Sequence, residues 1–161
     1  MPQLRWPAQL PPSDELGVVV HGPVVLARSP GITAGLRCVL GHPTGLHLLL
    51  VLRAEGVQAE AATRQAHRRP QPGSRARDPW AGPLLVAELD GERRTADPAR
   101  AASSGGADRF DSEAAHWIGR LPADGLLRLT FGWPAAGLAE HTTELRLGDL
   151  AGLAERVISL R

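Results

Sequence analysis

The residues of this chain that could do chemistry are few. They are six histidines, one cysteine, some clustered carboxylates and a run of arginines. His42 and His47 frame the stretch His42-Pro43-Thr44-Gly45-Leu46-His47, so a tight turn through Pro43 and Gly45 would bring two imidazoles towards each other. A zinc site needs three or four ligands with outer support. No carboxylate stands beside these two in sequence. A small hydrolase or metal-dependent enzyme built on His42 and His47 is therefore an alternative reading. Ordinary hairpin histidines, titrating near the usual pKa of about 6.5, are the plainer one. Asp108, Asp111 and Glu113 crowd one segment. Calcium loops use more ligands and a placed glycine, and glycoside hydrolysis needs two carboxylates across a cleft; a solvated loop end accounts for the three more simply. Ser103 and Ser104 precede Gly105 without a Gly-x-Ser-x-Gly elbow. Cys38 is the lone cysteine. It sits in the apolar stretch from Gly35 to Leu40 and reads as a small buried hydrophobe, not a nucleophile.

The arginines are the one local charge anomaly. Arg64, Arg68, Arg69, Arg75 and Arg77 fall within a short stretch that ends at Trp80. The guanidinium fork suits carboxylates and phosphates. These six residues are the candidate partner-binding set, and an acidic protein surface is the preferred partner. A nucleic-acid-associated role for the stretch from Arg64 to Arg77 is a second alternative, weakened because only His67 and Trp80 are at hand for base stacking. Trp6 and Trp80 lie in proline-flanked segments and would be interface anchors if exposed. Trp117 and Trp133 read as packing residues.

Composition narrows the chemistry further. All 18 basic side chains are arginine, and lysine, asparagine and tyrosine are absent. GC-rich codon usage explains that pattern. Without lysine there is no Schiff base and no Walker-type phosphate clamp. The net charge of +1 argues against binding nucleic acid or anionic lipid over the whole surface. A length of 161 residues fits one domain, and a chain with 43% hydrophobic and 22% charged residues can fold without disulfide or metal. The start does not resemble a signal peptide. The apolar run from Val18 to Ala27 is interrupted by His21, Gly22 and Pro23 and is too short to span a bilayer. The expectation is a cytoplasmic chain with no cofactor and no membrane partner.

The elements that must position these residues read mainly as strands. Pro2, Pro7, Pro11 and Pro12 make residues 1–16 an extended arm that Trp6 and Leu10 could pin. From Gly17 to Arg28 the chain is β-rich, with a bulge or kink at Gly22-Pro23. Thr33 to Gly41 and Leu46 to Arg53 form a hairpin, and the leucines on both faces of the second strand mark it as interior. Val57 to Ala66 could form a short helix, followed by a long exposed loop to Pro79. Asp90-Gly91 between Leu84–Leu89 and Glu92–Ala96 is a strong hairpin signal. Asp97 to Ala107, made of small residues, reads as a flexible linker, with mobile loops expected near 55–79 and 97–112. A further hairpin is expected between Ala114–Leu121 and Leu126–Trp133, then a last strand from Glu140 to Leu147. The chain should end in a helix capped by Asp149, with Leu150, Leu153, Ala154 and Val157 on its apolar stripe.

About eight antiparallel strands with regular turns and a C-terminal α-helix imply a mainly β fold, a β-sandwich of immunoglobulin-like kind spanning residues 17–161. The stretch Leu26-Ala27-Arg28, the turn His42-Pro43-Thr44-Gly45, the leucine strand to Arg53, the Asp90-Gly91 hairpin, the small-residue insert Ala101 to Gly106, and Trp133-Pro134-Ala135-Ala136-Gly137-Leu138 through Val157 together resemble an uncharacterised family of small β-rich proteins from GC-rich bacteria, which has no assigned activity. The chain departs from that pattern at His42, Leu46 and Gly119. The resemblance implies one domain with this strand order and no catalytic residue. The reading that leads is a non-catalytic module binding another protein, through its arginine loop or an exposed sheet edge, with self-association as an option.

Overall fold

The computed structural model describes residues 4–67 and 82–161. The proline-rich start contributes two short strands, β1 (Arg5–Trp6) and β2 (Glu15–Leu16). The β-rich stretch that follows is split where Pro23 lacks an N–H, giving β3 (Val18–His21) and β4 (Val24–Ser29). Both run antiparallel to β5 (Ile32–His42), which forms the expected hairpin with β6 (Gly45–Glu55). Leu46, Leu48, Leu50 and Leu52 of β6 are buried on its core face, as period-two alternation requires. Helix α1 (Gly56–Ala66) follows, burying only Ala59 and Ala62.

Strands β7 (Leu84–Leu89) and β8 (Glu92–Ala96) are joined by Asp90 at φ 51° and Gly91 at φ 77°. Two successive left-handed residues make the turn whose twist matches a two-residue hairpin. Next come β9 (Pro98–Gly105), β10 (Arg109–Ile118), β11 (Leu126–Trp133) and β12 (Leu138–Arg146). A four-residue helix α2 (Leu153–Arg156) and β13 (Ile158–Ser159) complete the described chain.

The strands form two main sheets. One is five-stranded in the order β1-β8-β7-β11-β12; the other is six-stranded, β3-β5-β6-β10-β9, with β4 also on β5. Their inner faces supply one shared core, including Leu26, Leu36, Leu48, Leu85, Leu127 and Leu145. β4 also packs beside β12, where the Leu26 carbonyl accepts from the Thr143 hydroxyl at 3.5 Å. The fold is thus mainly β and sandwich-like, with a short C-terminal helix. No helix among the described residues is long and apolar enough to cross a membrane.

Three expectations need correction. Residues 98–105 are not a linker but an eight-residue strand, and 109–118 pairs alongside it, so the region expected as a loop near 97–112 is a hairpin. β10 and β11 are not a hairpin: β10 pairs with β6 and β9, whereas β11 pairs with β7 and β12. The segment between them carries the chain from one sheet to the other. The terminal helix begins only at Leu153, because Gly152 is left-handed at φ 73°; the Asp149 carboxylate accepts from the Ala151 N–H instead of capping a longer helix. The arm is also anchored. Trp6 is buried, its indole N–H donates to the Ala87 carbonyl at 3.2 Å, and the Arg94 guanidinium lies over its ring.

Candidate functional site

The β5–β6 turn sets His42 and His47 in different surroundings. His42 is buried, its Nδ1 2.7 Å from Glu15 Oε1, and its ring meets the Trp117 ring edge-on at 5.5 Å. Gly17 closes over the imidazole: a Cβ there would sit 2.8 Å from His42 Nε2. The Glu15–Gly17 segment is therefore clasped against the outer face of the six-stranded sheet. His47 is only half-buried, between Leu40 and Trp117 in register, and burial, followed by the electrostatic influence of His42 and Arg100, lowers its pKa. Among the described residues no group of three or more His, Cys, Asp or Glu could hold a metal ion.

The other candidates also resolve into surface features. Arg64 is exposed on α1 and pairs with Glu60 one turn earlier at 3.4 Å. Arg68, Arg69, Arg75, Arg77 and Trp80 lie outside the described residues. The acidic segment is neutralised along the outer face of β10, Asp111 by Arg109 at 2.8 Å and Glu113 by Arg37 at 3.0 Å. Cys38 is half-buried in β5.

The distinctive surface lies elsewhere, at β9. This strand ends the six-stranded sheet, and among the described residues no strand pairs with its outer side. Seven of its eight residues are exposed, all but Ala99. The direction of its backbone groups follows from the register. The Gly106 N–H donates to the Arg109 carbonyl at 2.8 Å and closes the turn. Bonded and non-bonded pairs alternate along an antiparallel ladder. Gly105↔Phe110, Ser103↔Ser112 and Ala101↔Ala114 are therefore the non-bonded pairs. The N–H and C=O groups of Ala101, Ser103 and Gly105 point away from β10, along the free edge.

The same three residues lie on the inner side of the strand, level with Ser112, Ala114 and His116 of β10. All of these except His116 are small. The five-stranded sheet opposite presents Leu85, Phe131 and Trp133. The mismatch leaves a cavity of about 250 Å³, lined by those residues except Gly105, together with Leu50, Leu52, Phe110, Gln65 and Pro98. Phe110 and Trp133 meet edge-to-face at 5.8 Å across its wall. Its surface is mostly apolar, but two buried polar atoms around it lack a hydrogen-bond partner, His116 Nδ1 and Gln65 Oε1. His116 is 5% exposed. Burial lowers its pKa to about 4, against the opposing influence of the Ala96 and Asp97 backbone and the Asp97 carboxylate. The imidazole is therefore neutral at pH 7 and can accept a hydrogen bond.

Sequence reasoning passed over both halves of this site, since His116 was one of six scattered histidines and β9 read as a linker. The usable signal was the unbroken run of small residues from Ala101 to Gly105, with Ser112 and Ala114 a few positions on. Comparison of the chain with protein-family models and with curated proteins finds no match, so geometry alone carries the functional reading.

Proposed function

We propose that the chain is a non-catalytic β-sandwich module that binds an extended segment of a protein partner along the outer edge of β9. The single observation that supports this is the conjunction of an eight-residue edge strand, whose outer side pairs with no strand among the described residues, with an apolar cavity directly beneath it. Strand addition to a sheet edge draws affinity from main-chain hydrogen bonds and specificity from pockets that receive alternate side chains. Edges not meant to pair are usually guarded by charge, proline or bulges. Here Pro98 and Arg100 guard one end of β9, while Ala101 to Gly105 carries neither charge nor proline. An added strand would place its residues opposite Ala101 and Ser103 over the cavity.

The test is proline at Ser103. Its N–H faces outward, so Ser103→Pro leaves the β9–β10 ladder paired and removes a donor only the partner would use. Peptides selected from a displayed random library on the wild-type chain should be extended, with alternating apolar positions. Ser103→Pro should weaken them at least tenfold while keeping the far-UV circular dichroism and thermal midpoint of the wild type. Unchanged peptide binding by a folded Ser103→Pro chain would remove β9 as the site. A wild-type dimer in sedimentation that dissociates on the same substitution would make the partner a second copy of this chain.

A further inference from the structure

The cavity beneath β9 has a chemistry of its own, and we infer that it receives a tryptophan or tyrosine side chain from the added strand, with the indole N–H or phenol O–H donating into a buried acceptor. This rests on the strand-addition reading and says which residue of the partner anchors it. Three observations carry it. The first is depth. The lining runs from Ala101 and Ser103 on β9, past Ser112 and Ala114 on β10, to Leu50 and Leu52 on β6. Neighbouring strands lie about 4.8 Å apart, so β6 is roughly 10 Å further in than β9. Valine or leucine on an added strand would stop above the small residues of β9; a long flat ring passes over them. The second is the wall. Leu85, Phe110, Phe131 and Trp133 offer apolar and ring surfaces, and aromatic rings pack against such surfaces with the largest burial per residue.

The third observation is the unmet acceptor capacity. His116 Nδ1 and Gln65 Oε1, on two residues that line the cavity, are buried and lack a hydrogen-bond partner among the described residues. Leaving such atoms unmatched is costly, and a donor from the guest removes that cost. Among the described lining residues a carboxylate guest would find no arginine and would meet the like charge of Glu113. Lysine or arginine would lose hydration against apolar walls. An aromatic ring with one donor matches both the walls and the acceptors. The cavity, at about 250 Å³, is below the range of about 300–1,000 Å³ usual for whole small-molecule sites, which suits a single side chain.

Four acetylated, amidated heptapeptides of alternating threonine and valine test this on the full chain, with tryptophan, tyrosine, phenylalanine or leucine at the central position. Isothermal titration should rank tryptophan and tyrosine at least fivefold tighter than phenylalanine, and leucine weakest. His116→Phe and Gln65→Leu together should bring the ratio of tryptophan and tyrosine affinity to phenylalanine affinity down to about one, whatever the absolute affinity of the variant. Should the double variant fail to fold, the wild-type ranking still decides. Equal affinity for all four peptides, lost on Ser103→Pro, would overturn the aromatic anchor and leave strand addition standing. No measurable binding of any of the four, nor of selected library peptides, would overturn both.

Discussion

The buried, neutral His116 makes acid stability a quantitative test of the fold. Its imidazole has a folded pKa of about 4 against an ordinary value of 6.5. Between those values the unfolded chain binds a proton that the folded chain refuses. Acid therefore favours unfolding: the contribution is fully present above about pH 6.5 and is lost as pH falls towards 4. Each tenfold change in proton affinity is worth about 1.36 kcal/mol, so moving from pH 7 to pH 4 should cost about 3 kcal/mol through this residue alone. The groups around the ring are consistent with that sign. Burial dominates, the Asp97 carboxylate and the Ala96 and Asp97 backbone oppose it, and His47 reinforces it. His116→Phe keeps an aromatic ring and deletes the titration. Urea unfolding followed by tryptophan fluorescence at pH 7 and pH 4 should show the wild type losing about 3 kcal/mol more than the variant, while carboxylate effects common to both cancel. Parallel losses within about 0.5 kcal/mol would mean that the ring is hydrated or paired, and the reasoning from burial would fail.

Two further substitutions probe how the N-terminal segment is held. Glu15→Ala strips the partner from buried His42 and should cost about 1–3 kcal/mol in chemical denaturation; Glu15→Gln, which keeps an oxygen and a neutral contact, should recover most of it. Trp6→Ala empties a buried site on the five-stranded sheet and should cost about 3–5 kcal/mol, with proteolysis at residues 4–12 becoming faster than in the wild type.

The hairpins were legible because their chemistry is local. Asp90-Gly91 needs two left-handed residues in sequence, and the turn from His42 to Gly45 needs a proline and a glycine a few positions apart. The leucines on both faces of β6 likewise marked it as an interior strand, and it lies between β5 and β10. What could not be read depended on distant partners. Alanine, serine and glycine have poor strand propensity, so nothing within residues 98–105 announces β9; its extended form is imposed by register with β10. The burial of His42 is set by Glu15, 27 positions earlier. The strand break between β10 and β11 looked like a turn because Pro122, Asp124 and Gly125 are turn residues, yet the same chemistry also serves a passage between sheets. The cavity was least legible of all, since it arises from bulk missing on one sheet opposite bulk present on the other.

The small sheet of β2 and β13 sets Leu16 opposite Ile158, and the Leu160 N–H donates to the Asp14 carbonyl at 2.7 Å. During synthesis the segment around Glu15 is made about 140 residues before its pairing partner. Translation proceeds at about 5–20 residues per second, so the early segment waits several seconds for a mate. Throughout that interval Leu16 has no strand to pair with. The segment's prolines and its contact with His42 then matter for a kinetic reason: they leave a waiting strand little freedom to pair elsewhere.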